Sequence, residues 1–365
     1  MVKRGVFHQV GIKLGKISKG NVWILMVLLC TFTAVASMFV DNVTTIFLMI
    51  PVTLSIVRTL GLQPFPFIMA QVLASNVGGS ATLIGDPPNI LIGSAAGIDF
   101  NSFLIYLGPT IAVVFVFILL LIKLFFRNDL KSAQKLGQQK DIQELMDRDE
   151  NMIVVHHKGL LLKSLIVIVG VVILFSLQTI THLEVSIVAI GGAAVLLIIS
   201  RVSLEKFCMK LIGLFVIVGV AEHAGLITIL ANMAINITGG DPWLTFFMIT
   251  WLSAIAGAFI DNIPFTTTMI PLVHTLHTDP TIAAAFGPDS GYQFSPLWWG
   301  FPLGADLGGN GSLIGFSAGV VAAGLSQKFG HYISFTRWIK IGFPFMLLTP
   351  VVGNIVLYGL LLFVY

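Results

Sequence analysis

Four aspartates in this sequence lie within strongly apolar surroundings, and each keeps polar company. Asp41-Asn42 opens a run containing Thr44 and Thr45, and Asp261-Asn262 opens one containing Thr266 and Thr267. Asp86 follows a stretch that holds Asn76, Gly78, Gly79 and Thr82, and it stands three residues before Asn89. Asp306 begins a stretch that continues through Gly308, Gly309, Asn310 and Ser312. An ionisable side chain in hydrocarbon is costly, so one that is kept there marks a site or a pathway. A desolvated carboxylate favours its protonated form and can exchange that proton for a cation. Carboxamides, hydroxyls and the free amides and carbonyls of helix ends can replace the water shell of a small ion. Asp41, Asp86, Asp261 and Asp306 are therefore the candidate proton or cation carriers. The other residues named here are candidate ligands of a small ion, with sodium expected at the Asn42 and Asn262 tips.

The Asp-Asn sites occur as matched copies. Phe39, Asp41, Asn42, Met49, Ile50 and Pro51 align at an offset of 220 positions with Phe259, Asp261, Asn262, Met269, Ile270 and Pro271. Asn76, Gly78, Gly79, Thr82 and Gly85 align at an offset of 230 with Asp306, Gly308, Gly309, Ser312 and Gly315. Shared hydrophobicity does not produce matches built on Asp, Asn, Gly and Pro in the same order. Glycine pairs inside an apolar crossing interrupt the helix and release main-chain groups that only a cavity or neighbouring protein can satisfy. Close packing through small residues accounts for the glycines. It does not account for Asn76, Thr82, Asp86, Asp306 and Asn310. Asp306 is mirrored by the neutral Asn76, so the two half-sites are electrostatically unequal.

The elements that must position these residues are apolar helices. Of 365 residues, 56% are hydrophobic and 10% charged, with net charge +3 and mean hydropathy +0.96. That balance suits a bilayer rather than water. Runs at 21–40, 100–126, 159–177, 211–227 and 340–364 approach or exceed the roughly 20 apolar residues a spanning helix needs. Cys30 and Cys208 are far apart and read as packed thiols, and no cleavable signal peptide is visible. Lys and Arg come in bursts and are absent from 59–122 and 211–327. Placing every burst in the cytoplasm gives one consistent path with a cytoplasmic amino terminus. In a prokaryote the membrane is then the inner, or plasma, membrane. Glu222-His223 reads as an interfacial polar pair, His156-His157 as solvated, and Trp298-Trp299 as an interfacial belt.

The charge path makes the first Asp-Asn hairpin open inward and the second outward, which is an inverted-topology repeat. The expected fold is an all-α polytopic membrane protein of two inverted-topology repeats, each with a re-entrant helical hairpin and a broken transmembrane helix. Residues 1–20 form a cytoplasmic amino-terminal segment, 21–126 repeat one, 127–158 a cytoplasmic loop, 159–240 scaffold-like helices and 241–365 repeat two. About three apolar segments precede repeat two but only twenty residues precede repeat one, which reads as shortening at the amino end.

At these motifs the sequence resembles the ion transporter superfamily, in the branch holding the P protein, arsenite permeases (ArsB) and NhaD-type antiporters, with a citrate-transporter-like domain. The resemblance rests on Asp41 to Thr45, Pro51 to Thr53 and Asn76 to Asn89 in the first half, and on Asp261 to Pro271 and Leu307 to Gly315 in the second. It implies a homodimer of scaffold and transport domains, re-entrant hairpins and an elevator-like movement of the site. Two positions depart from the pattern: Asp306 stands at a position usually uncharged, and Gly319 at one usually Asn. The Ser-Asn-Thr tips of dicarboxylate carriers are absent.

The expected function is secondary active transport of a small inorganic ion or anion, coupled to H+ or Na+, with no other cofactor. Na+/H+ antiport and dicarboxylate carriage on the same fold are alternatives. From other classes come a non-transporting subunit of a split transporter and an intramembrane aspartyl protease using Asp41 or Asp86 with Asp261. The duplicated glycine-rich breaks have no role in proteolysis. The expected partners are lipid, the ion and a second copy of the chain, and no nucleic acid.

Overall fold

The computed structural model describes residues 13–137, 158–181, 187–188, 190–192, 194–195, 226–283 and 295–363. These residues are helical or in short connections, with no strand among them. Cys208, Glu222-His223, His156-His157, most of 185–200 and the start of the 211–227 segment lie outside the described residues.

Helices α1 (Val22–Ser37) and α2 (Asn42–Leu60) are joined by a four-residue turn. The side chain of Asn21 caps α1 by accepting from Ile24 N, and Asp41 caps α2 by accepting from Thr44 N. Such a cap satisfies one of the free amides of a first turn and contributes about 1 kcal/mol. Helix α2 ends at Gly61 in the left-handed conformation, and Pro64 then starts α3 (Pro64–Gly79). The chain leaves helical geometry after Gly78-Gly79 and resumes at Pro87 in α4 (Pro87–Ala96). Asp99 caps α5 (Phe100–Phe125), accepting from Asn101 N and Ser102 N.

Beyond α5 come α6 (Arg127–Gly137), α7 (Lys158–Ser176), α8 (Gln178–Thr181) and α9 (Leu226–Thr238). Within the 127–158 segment, read from the sequence as a cytoplasmic loop, the first eleven residues form the helix α6, packed on α1. Leu130 and Ala133 are buried there, and Gln134 Oε1 accepts from Val22 N at 2.9 Å while its Nε2 donates to Gly20 O at 3.2 Å.

The first pattern then recurs. A four-residue turn joins α10 (Pro242–Gly257) to α11 (Asn262–His277), and α12 (Pro280–Ala283) follows. Helix α13 (Pro296–Gly308) runs into a 3-10 turn (Gly309–Gly311), and the helix resumes as α14 (Ser317–Lys328). The last helix, α15 (Phe335–Leu362), starts five residues before the apolar run because the Ser334 hydroxyl accepts from Arg337 N at 3.2 Å and caps it there.

Every residue of α3 and of α13 is buried, as expected for helices that are apolar all round at the centre of a bundle. Trp298 and Trp299 belong to α13 and have 0% exposure. The reading of this pair as an interfacial belt is therefore overturned. Trp299 packs on Tyr106 and Phe103 of α5, with centroids 4.7 and 5.8 Å apart. Helices α2, α5 and α15 are long and apolar enough to cross a membrane.

Matched elements make matched contacts. Helix α1 packs on α3 as α10 packs on α13, and α5 packs on α15. The halves also exchange partners: α2 packs on α14, while α11 packs on α4. Each half-helix that follows a break thus lies against the hairpin from the other half of the chain.

Candidate functional site

The two breaks are built alike. The Thr82 hydroxyl donates to Met38 O and the Ser312 hydroxyl to Ala258 O, each at 2.5 Å. Thr82 and Ser312 are 230 positions apart, and Met38 and Ala258 are 220 apart, as the sequence alignment requires. A Cβ on Gly78 would run into the backbone of Ala34, and one on Gly308 into the matched Ala254. Glycine is needed here because helix axes approach to backbone contact. Each break is thereby tied to the turn of its own hairpin.

Four helix N-termini begin at these turns and breaks, those of α2, α4, α11 and α14. Asn42 opens α2 and donates its Nδ2 to Asp86 Oδ2, beside the start of α4, at 2.8 Å. Ser317 opens α14 and donates its hydroxyl to Asp261 Oδ2, the cap of α11, at 2.6 Å. Asp86 lies within electrostatic range of Asp306, Asp41 and Asp261. The helix starts therefore gather around one acidic group. Free amides and the positive ends of helix dipoles favour negative charge at such a place.

The innermost groups are buried: Asp86 is 3% exposed, and Asn76, Asn89, Asp306 and Asn310 are 0% exposed. Asn76 Nδ2 donates to the main-chain oxygen of Asp306 at 2.6 Å, joining the two breaks. Ser80 and Asn89 face the Asp306 carboxylate. Their donors are turned elsewhere, Ser80 Oγ to Asn76 O at 2.9 Å and Asn89 Nδ2 to Thr82 O at 3.1 Å. Both oxygens of Asp306, both polar atoms of the Asn310 side chain, and Oδ1 of Asn76 and of Asn89 have no hydrogen-bond partner. Buried polar groups are normally satisfied, and an unpaired one costs about 1–3 kcal/mol. Six such atoms in adjoining segments have the capacity to take up a proton, an ion or water.

The remaining expected ligands divide between lining and framework. The Thr44 amide and hydroxyl serve the Asp41 cap, and Thr45 Oγ1 donates to Val40 O at 3.2 Å. Thr267 Oγ1 donates to Pro264 O at 2.9 Å, while Thr266 Oγ1 is buried without a partner. With its carboxamide nitrogen turned toward the acceptors, Asn262 donates to Gly315 O at 3.1 Å and Ala305 O at 3.3 Å. Asn42 thus meets a carboxylate, whereas its match Asn262 meets main-chain carbonyls. Gly79 and Gly309 flank the breaks, and Gly79 O accepts from Asn89 Nδ2 at 3.4 Å.

The family model described as "Citrate transporter" matches residues 1–304. The chain belongs to the citrate transporter family. It is 36% identical over 346 residues to an uncharacterized transporter of Mycobacterium tuberculosis, an alignment covering 93% of this chain and 77% of that protein. It is 34% identical over 362 residues to a 46 kDa membrane protein of Mycobacterium leprae, covering 97% and 81%. With the human P protein it shares 31% identity over 428 residues, covering 96% of this chain and half of that protein. As a member of a transporter family with long apolar helices, it is an integral membrane protein.

Four contributors to the site in this member of the citrate transporter family were not singled out as ligands from the sequence. Ser317 matches Pro87, so the repeat gave no polar signal there, although both residues open the helix after a break. Ser80 had a signal, since it lies inside the Gly78 to Thr82 motif. The carbonyls of Ala305 and Gly315 carry no sequence signal, because every residue has a carbonyl.

Proposed function

We propose that this chain is a secondary active transporter that moves a small inorganic ion or anion and couples it to H+ or Na+. The observation that carries the reading is the pair of buried acids, Asp86 and Asp306, set among unpartnered amides where four helix N-termini gather. The helix starts supply positive potential for an anionic or oxyanion substrate. The carboxylates hold the compensating proton or cation. Neither break nor hairpin tip contains Lys or Arg, so charge balance has to come from the coupling ion. Asp41 and Asp261 are half-buried and form the outer pair, through which a coupling ion reaches the inner one.

In this reading the two halves are inverted copies, the hairpins re-enter the membrane, and the breaks and tips travel together as the moving body of an elevator-type alternating-access cycle. The packing of α2 on α14 and of α11 on α4 supports it, because the four site-bearing elements then move as one unit. Two copies of the chain form the assembly. The description of the family model favours a second substrate, a di- or tricarboxylate such as citrate.

The test is flux by the purified full chain in proteoliposomes under imposed H+ or Na+ gradients, with arsenite, sodium, succinate and citrate compared side by side. Gradient-driven uptake or release of one of these, lost on Asp86→Asn/Asp306→Asn, is the expected result. Absence of flux under every gradient would favour a non-transporting subunit.

A further inference from the structure

Away from the breaks, the end of α5, the start of α6 and the start of α1 enclose a groove of about 410 Å³. Its walls are apolar, formed by Trp23, Leu120, Leu124 and Leu130. Leu120 and Leu124 are 59% and 65% exposed, so the groove opens sideways along α5, one of the helices long and apolar enough to span the bilayer. The same lining also carries Lys123, Arg127 and Lys131. Lys123 Nζ stands 5.3 Å from the centroid of the Trp23 ring, which fixes one cation over the apolar wall. Asp129, the acidic residue of α6, is not among the lining residues.

We infer that this groove is a binding site for an anionic phospholipid, with the headgroup phosphate among Lys123, Arg127 and Lys131 and an acyl chain along Leu120 and Leu124. The inference rests on the membrane reading of α5 and is independent of what the site at the breaks carries. The pairing of a leucine wall with three cations is what selects the occupant. A free anion has no use for the leucine wall, and a zwitterionic lipid gains little from three clustered cations. Basic clusters at a membrane face attract anionic headgroups, each charge worth about 5-fold in affinity. The site also has a structural role: a lipid seated there clamps α6 against α1 and α5, holding the cap that Gln134 places on Val22 N.

Native mass spectrometry of the full chain in detergent, titrated with dioleoyl phosphatidylglycerol or dioleoyl phosphatidylcholine, tests this. Phosphatidylglycerol is expected to bind at least about 10-fold more tightly, with Lys123→Gln/Arg127→Gln/Lys131→Gln reducing its affinity on the order of 100-fold. Lys123→Arg/Lys131→Arg retains binding, which guards against reading a misfolded triple variant as support. Equal retention of the two lipids, or binding untouched by the triple variant, overturns the proposal. So does displacement of the lipid by glycerol phosphate alone. Selective binding that emerges only after Asp141, Glu144, Asp147 and Asp149 are neutralised would assign the groove to the chain's own acidic segment and overturn it as well. Flux is not read in any arm, so failure here and failure of the transport reading are separate results.

Discussion

The Asn76 carboxamide donates to the carbonyl oxygen of Asp306 at 2.6 Å, and the two residues are matched positions 230 apart in the chain. The contact joins unlike partners, because one position carries a neutral amide and the other an acid. The acids of the two breaks are offset: Asp86 in the first has Phe316 as its match, and Asp306 in the second has Asn76. The fold is duplicated while the charge is not.

Asp306→Asn tests the buried acid without changing its shape. Neither oxygen of Asp306 has a hydrogen-bond partner to lose, so the stability change is expected to stay within about 1 kcal/mol. The pH dependence of flux should flatten while thermal melting is nearly unchanged. An unaltered pH profile would remove Asp306 from the coupling path.

Asn42→Ala and Asn262→Ala should each abolish flux in a folded protein, for different reasons. The first strips Asp86 of its 2.8 Å donor and leaves a buried acceptor unpaired, at a cost of about 1–3 kcal/mol. The second frees the carbonyls of Gly315 and Ala305. Asp86→Asn should recover part of the stability lost in Asn42→Ala but not its transport, a non-additivity read in a double-mutant melting series. Normal flux in both single variants would take the hairpin tips out of the site.

Gly78→Ala and Gly308→Ala introduce a methyl group into backbone contact with Ala34 and Ala254. Overpacking of this kind costs about 1–3 kcal/mol, and matched positions should give similar losses. Melting of the two variants in detergent checks both the size and the equality.

Asp99→Ala serves as the contrasting case. Asp99 accepts from two first-turn amides and from the Ser102 hydroxyl, so its loss should cost about 1 kcal/mol. Because it lies outside the breaks and tips, flux per folded molecule should be unchanged. A change in ion coupling here would contradict the placement of the site.

The helix starts were legible in the sequence because capping is local. Asp41 and Asp261 open the runs that become α2 and α11, and the apolar run that begins at 100 becomes α5. The breaks were legible for the same reason, since a glycine pair among apolar residues interrupts a helix wherever it is placed. The start of α6 was not, because its polar residues read as solvent-facing and only Val22 and Gly20, more than 100 positions away, give Gln134 its partners.

By itself, then, the sequence determined the apolar helices, their interruptions, the duplication of Asp-Asn turn and glycine-rich break, and the family. Tertiary structure decided which acids are enclosed, that Asn42 takes a carboxylate while Asn262 takes carbonyls, that Ser317 reaches Asp261, and that Trp298 and Trp299 lie in the core. The division has one cause. Lipid tails are as apolar as a protein interior, so hydropathy cannot tell a helix facing the bilayer from one at the centre of the bundle. Only the crossing of α2 with α14 and of α11 with α4 settles which polar atoms face one another.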